Sequence, residues 1–381
     1  MNRASTGSWT ERLWSLAQEV LPPWLTARAV VLGTLALAHV VVDRVDPGKA
    51  GVAARVHEGL LGWDAGWYEA IARHGYAALG PESLRFFPLV PLAARVLADL
   101  PGVGVGGALL FVANASSLVG TALLWVLVRR ESGDRPLARR TVWLLCLAPP
   151  AFTFVMGYAE GTLLVFTVGC FLALRARPSP RWWWAAAMAY LAALTRPLGV
   201  LLVLAIAVEL VRSWVRWRGP QRVAPVVALV APLAGLATFL GWSGAALGNT
   251  WGPLREQTQA GHHGALSDPF TTIAHDATGL LHHHLGTALD VPWALAAIAL
   301  VVVCWLRLPA SYSLFATGVV LVGLSGTNLD SFARYALSAF PLVWAGSLFT
   351  AGRTVERVVL TIAAAGLVGY SLLAFLNLVV P

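Results

Sequence analysis

The sequence predicts an all-α, polytopic membrane protein of about eleven transmembrane helices, and three observations carry that prediction. Of 381 residues, 57 % are apolar and 12 % charged, with a mean hydropathy of +0.69, the composition of a chain whose solvent is the bilayer. Apolar runs recur between Arg, Pro and Gly punctuation, many approaching the roughly 20 residues a helix needs to cross. The seventeen Trp suit membrane–water interfaces, which accommodate both the apolar ring and the N–H of an indole.

Residues 1–23 are too polar for the apolar core of a signal peptide. Ser8 followed by Glu11 forms a possible capping box, opening an amphipathic helix that carries Trp9, Leu13, Leu16 and Val20 and is expected on the cytoplasmic surface. The triplet Ala36-Leu37-Ala38 resembles a cleavage site, but the segment before it is long for a signal peptide and reads as an uncleaved anchor. Residues 24–381 read as one transmembrane domain. Its spans fall near 25–42, 104–128, 141–157, 160–175, 182–195, 197–211, 223–243, 290–306, 309–325, 335–351 and 358–380, with long outer loops at 43–103 and 244–289. The segment 84–100 contains Arg85, Arg95, Asp99 and two prolines, which favours a re-entrant or interfacial helix over a full span.

Orientation follows from arginine bias, because cytoplasmic loops hold the excess positive charge. The N-terminus, 129–140, 175–181, 212–222, Arg307 and 353–357, with Arg28 and Glu209 near span ends, hold 18 of the 27 basic and 6 of the 19 acidic residues. That side is expected to be cytoplasmic. The formal charge of +8 is therefore a topology signal. Nearly all of the excess is Arg in short loops and Lys49 is the only lysine, so nucleic acid is not an expected partner. Cys146, Cys170 and Cys304 fall inside apolar runs without metal-ligand spacing and read as small core residues. No repeat of 20–50 residues is visible, and the GxxxG formed by Gly157 and Gly161 reads as helix packing.

The first outer loop runs Gly-Trp63-Asp64-Ala-Gly-Trp67-Tyr68-Glu69 and continues to Arg85-Phe86-Phe87-Pro88-Leu-Val-Pro91. An acid among interfacial aromatics can be a general base whose pKa is raised by desolvation, with the rings as a platform for a sugar. The same residues also read as interfacial anchors around an Asp64 that merely caps a helix starting near Ala65. Trp-Asp-x-x-Trp-Tyr-x-x-Ile-Ala-x-x-Gly-Tyr, followed by Phe-Phe-Pro-Leu-x-Pro-Leu, resembles the PIG-V-type membrane mannosyltransferases of the GT-C superfamily. The resemblance continues through Pro149-Pro150-Ala-Phe, Tyr158-Ala-Glu160-Gly-Thr-Leu, Leu-Thr195-Arg196-Pro-Leu-Gly199 and Arg334-Tyr335-Ala-Leu-Ser-Ala-Phe340-Pro341. It implies a GT-C-like fold and an essential acid, here Asp64, in the first extracytoplasmic loop. It also implies a polyprenyl-phosphate-linked sugar donor. The Arg- and Ala-rich composition looks bacterial, actinobacterial in particular, which argues against a GPI acceptor.

Further candidates lie on the same expected face. Glu160 reads as a cavity residue or a solvated turn. Arg196 and Arg334 read as phosphate ligands, since a guanidinium pairs bidentately with phosphate, or as arginines snorkelling from helix ends. Tyr335 stands beside Arg334. In loop 244–289, Gln257 and His263 read as acceptor or phosphate ligands, or as interfacial loop residues. Six of the nine His lie in that loop, yet their spacing matches no metal site, so no metal or cofactor is expected. The expectation is therefore an inverting glycosyltransferase of the multi-pass cell membrane, working at its extracytoplasmic face. Trp63, Trp67, Tyr68 and Arg85 assist Asp64, the donor is polyprenyl-phosphate-mannose, and the acceptor is a glycan or glycolipid. The competing class is a transporter or flippase, which would place ionisable residues at mid-membrane.

Overall fold

A computed structural model of the chain describes residues 9–44, 50–214, 219–259, 264–281 and 289–380. Ser8, Lys49, His262, His263 and His282 to His284 lie outside the described residues. Among these residues the regular structure is helical throughout, without strands. Among the described residues four helical stretches are long and apolar enough to cross a membrane: Trp9–Arg44, Val105–Ser132, Gly219–Leu247 and Arg353–Phe375. The remaining apolar runs form shorter helices.

In order, the helices are α1 Trp9–Arg44, α2 Ala50–Glu58, α3 Asp64–His74, α4 Leu89–Ala98, α5 Val105–Ser132 and α6 Arg135–Leu147. Then come α7 Glu160–Leu174, α8 Trp182–Thr195, α9 Leu202–Ser213, α10 Val223–Leu247, α11 Gly252–Arg255 and α12 Pro269–Leu281. The last are α13 Val291–Arg307, α14 Ala310–Leu324, α15 Phe332–Ser338, α16 Phe340–Ser347 and α17 Arg353–Phe375. Local chemistry explains several boundaries. Gly133 ends α5 in the left-handed conformation, and Asp134 caps α6 by accepting from Leu137 N–H at 3.1 Å. Pro149 and Pro197 follow the last residues of α6 and α8 closely, where a ring can no longer continue a helix.

Three expectations change. The polar segment expected as a separate surface helix over 1–23 runs from Trp9 directly into the first apolar run as one 36-residue helix containing Pro22 and Pro23. The run 335–351 is broken at Ala339 into α15 and α16. The run 141–157 is helical only to Leu147 and continues as a 3₁₀ turn over Pro149–Phe154. Helix α4 has ten residues, roughly 15 Å at 1.5 Å each, half of a ~30 Å hydrocarbon core. It does not span.

The arginine-rich helix ends gather at one end of the bundle. Arg135 pairs with Glu19 at 2.7 Å and Arg139 with Glu356 at 3.3 Å, while Arg175 pairs with Glu131 at 2.9 Å and Glu209 at 3.2 Å. Helix α7 fixes the opposite end, because Glu160 is its first residue and Arg175 follows its last. Fifteen residues separate them by roughly 22 Å. Arg28 is the exception to the tally of end residues. It lies nine positions beyond Glu19, roughly 13 Å along α1, and is half-buried between α1 and α5. There it donates to Asn114 Oδ1 at 3.0 Å, to Phe154 O at 2.8 Å and to Ser117 Oγ. Each partner is a fixed protein group, so this interior charge ties the 3₁₀ turn before α7 to α1 and α5.

Candidate functional site

Four separate segments bring the candidate residues together at the end of the bundle away from the arginine clusters. Asp64 is the first residue of α3. The capping position belongs to Trp63 and has no side-chain cap, so Asp64 does not play the capping role that competed with the functional reading. Glu160 likewise opens α7, where the partial positive charge of a helix N-terminus favours an anion. Arg196 closes α8, the complementary end for a cation. Arg334 sits in the first turn of the short helix α15.

Close packing makes these positions possible. A Cβ on Gly161 would stand 2.8 Å from Ala113 O, so α7 meets α5 backbone to backbone just past Glu160. A Cβ on Gly199 would lie 2.2 Å from the Ala192 carbonyl, and Gly199 N–H donates to Arg196 O at 2.9 Å. The turn after Arg196 thus folds tightly back on α8. Two non-glycine residues take positive φ directly before the helices that carry the site: Trp63 (φ 59°, ψ −129°) before α3 and Ser331 (φ 64°, ψ 9°) before α15. Strained backbone of this kind persists only where its surroundings over-determine it. For Trp63 those surroundings are its Nε1–H bond to Ala374 O at 3.0 Å and the Arg55 guanidinium 4.2 Å from its ring.

The charged groups form a chain. Arg334 Nη1 donates to Asp64 Oδ2, and Arg196 Nη1 donates to Glu160 Oε1. Arg334 Nε stands 3.4 Å from the same Glu160 oxygen, within ion-pair distance but without hydrogen-bond alignment. Both guanidiniums also face aromatic rings: Arg334 those of Tyr158 (5.3 Å) and Tyr335 (5.8 Å), Arg196 that of Tyr335 (5.4 Å). Side-chain exposure is 1 % for Glu160, 6 % for Arg334 and 9 % for Arg196 but 19 % for Asp64, so of the two carboxylates in this chain of charges Asp64 is the one open to an incoming molecule.

These groups front a cavity of about 390 Å³ lined by Asp64, Tyr68, Arg85, Arg196, Gln257, Arg334 and Tyr335 together with Phe86, Asp330, Ser331 and apolar neighbours. Gln257 Nε2 donates to Arg85 O at 2.9 Å, joining the two long loops in the cavity lining. Burial acts to raise the pKa of Asp64. The charges of Arg334 and Arg196 outweigh it, aided by the Arg334 hydrogen bond and by Arg85, and hold the carboxyl below its ordinary range. The sequence expectation of a raised pKa is therefore reversed, because it counts desolvation and not the cations that packing brings in.

Three expected site residues do not line the cavity. Trp63 points to Ala374 of α17, Trp67 stacks on Phe86 with centroids 5.7 Å apart, and Glu160 sits behind the two arginines. His263 lies outside the described residues. Conversely, Asp330 and Ser331 line the cavity although sequence reasoning misses them; the only signal is that they stand a few positions before Arg334. The three cysteines are buried and unpaired. No group of three or more His, Cys, Asp and Glu able to hold a metal is found among the described residues.

No family model and no curated protein matches the chain. Among solved structures it is similar to apo ArnT from Cupriavidus metallidurans, at 16 % identity and a TM-score of 0.47, over 82 % of this chain and 71 % of that one.

Proposed function

We propose that the protein is a membrane glycosyltransferase that moves a mannosyl residue from a polyprenyl-phosphate carrier to a glycan or glycolipid acceptor at the extracytoplasmic face. One observation carries the reading. An accessible acid, Asp64, shares a cavity with two buried arginines, Arg196 and Arg334, at the end of the bundle that is poor in arginine. That grouping suits displacement at an anomeric carbon. Asp64 takes the proton of the attacking hydroxyl as the new C–O bond forms. The bond from C1 to the phosphate oxygen breaks, and its electron pair leaves with the phosphate, whose growing charge the guanidiniums neutralise. Attack of the hydroxyl from the sugar face opposite the leaving phosphate inverts the anomeric centre, so a β-linked donor gives an α-linked product.

Charge supports a lipid-linked donor over a nucleotide sugar. Among the described residues Arg85, Arg196 and Arg334 are matched by Asp64, Glu160 and Asp330 in and behind the cavity, a balance that suits an anion of low charge. A polyprenyl-phosphate sugar brings a single negative charge. The mannosyl identity and the Asp64 role rest on the sequence resemblance, and the outward orientation rests on arginine bias. Membranes containing the protein, incubated with labelled polyprenyl-phosphate-mannose, are expected to label a glycan or glycolipid. Absence of transfer from this donor and from other polyprenyl-phosphate sugars would overturn the reading.

A further inference from the structure

We infer that Asp64 and the phosphate of the donor compete for the Arg334 guanidinium, so that donor binding itself unlatches the base. The inference rests on the phosphate cavity proposed above and goes beyond it by ordering events within the site.

The geometry has two parts. Asp64, 19 % exposed, accepts directly from Arg334, the less exposed partner at 6 %. Asp64 thus occupies the anion position on Arg334 that opens to the cavity. Behind Arg334, Glu160 is fully enclosed and bridges it to Arg196, and Glu160 Oε2 has no hydrogen-bond partner among the described residues. A carboxylate with a spare buried acceptor can keep hold of both arginines while one turns. Glu160 therefore anchors the cationic pair, and Asp64 is the member that a second anion can displace.

The groups around Asp64 are Arg334 on α15, Arg196 at the end of α8 and Arg85 in the first outer loop, with the Tyr68 and Tyr158 phenols nearby, Glu160 behind the two arginines and Asp330 elsewhere in the cavity lining. A phosphodiester bound among these cations takes over part of their field. A carboxylate left beside a new anion binds protons more readily, which is what a base needs and what the empty site prevents. Before donor arrives, Asp64 is a paired and weakly basic carboxylate. Once Arg334 has moved to the phosphate, Asp64 can accept a proton from the acceptor hydroxyl. Donor would then bind before acceptor in every productive turnover.

Calorimetry of the full-length protein in detergent tests this with farnesyl methyl phosphate, a phosphodiester monoanion that does not titrate in the working range. Wild-type protein is expected to take up protons on binding the probe, read from heats in buffers of different ionisation enthalpy, and to bind it more tightly as the pH falls from 6 toward 4. Asp64→Asn keeps the side-chain shape without the competing charge. It is expected to bind the probe on the order of tenfold more tightly, with proton uptake abolished. Equal or weaker binding by Asp64→Asn, or no proton uptake by the wild type, overturns the competition while leaving the phosphate cavity standing. Absence of probe binding by both proteins overturns the cavity as a phosphate site, and the competition with it.

Discussion

Arg334 bonds to Asp64 across 270 residues of chain, and the pair lies at the open edge of a four-residue charge chain otherwise enclosed by the bundle. The two helices meet only because the last third of the chain packs against the first outer loop, with Trp63 bonded to α17 one residue away from the acid. The pair therefore reports on tertiary structure as much as on chemistry.

Asp64→Asn is expected to lower mannosyl transfer by roughly 10²–10⁴-fold, the usual worth of a positioned base, while the protein still folds and inserts. Transfer of labelled mannose in membranes holding matched amounts of both proteins checks it. Near-normal activity would remove Asp64 from the reaction.

Arg334→Ala strands the Asp64 carboxylate beside an apolar gap and leaves Glu160 with Arg196 alone, and breaking a buried pair in this way costs about 3–5 kcal/mol. Loss of folding would obscure the kinetics, so Arg334→Lys is the more informative change. It keeps the charge but not the planar fork that can span two acceptors. Its KM for donor is expected to rise several-fold with KM for acceptor unchanged. A defect confined to the acceptor would place Arg334 on the wrong substrate.

Much of this site is legible in the sequence as types and positions. Asp64, Glu160, Arg196 and Arg334 stand out as charges at the ends of apolar runs, and the arginine bias predicts that they share a face. Their pairing is not legible, because no local pattern says which guanidinium meets which carboxylate once helices pack. The same gap explains the errors. The sequence predicts a raised pKa for Asp64 because burial can be read from neighbouring aromatics, whereas Arg334 and Arg196 arrive from far along the chain. Arg28 counts with the span ends in the sequence because the polar residues that accept it, Asn114 and Ser117, lie 86 and 89 positions away. Trp63 looks like a stacking platform because nothing near it reveals the Ala374 carbonyl that holds its indole.

Trp63→Phe keeps a ring of similar character but deletes the Nε1–H bond to Ala374 O. The lost hydrogen bond is worth about 0.5–1.5 kcal/mol, a modest fall in melting temperature. The larger effect is expected in kcat, because the strained Trp63 backbone immediately precedes Asp64 and sets where α3 begins. Steady-state kinetics beside a melting curve separate the two. A fall in stability with kcat unchanged would mean that the indole holds α17 and does not aim the acid.

Asp290, immediately before α13 on the same end of the bundle, gives a pH prediction of definite sign. Burial pushes its carboxyl up to about 7, with Asp330 and Asp276 adding to the rise and hydrogen bonds from Ala333 N–H and the Tyr370 hydroxyl opposing it. Between the unfolded value near 4 and 7, the folded protein holds a proton that the unfolded chain releases. Stability therefore falls as pH rises through that window and levels off above it. At 1.36 kcal/mol for each pH unit of the window, the whole decline is on the order of 4 kcal/mol. Asp290→Asn retains an acceptor for Ala333 N–H and cannot ionise. Its melting temperature in detergent, followed by tryptophan fluorescence from pH 5 to 8, is expected to lack the decline that the wild type shows. Parallel curves for the two proteins would mean that Asp290 stays ionised in the folded state, its burial offset by the hydrogen bonds from Ala333 and Tyr370.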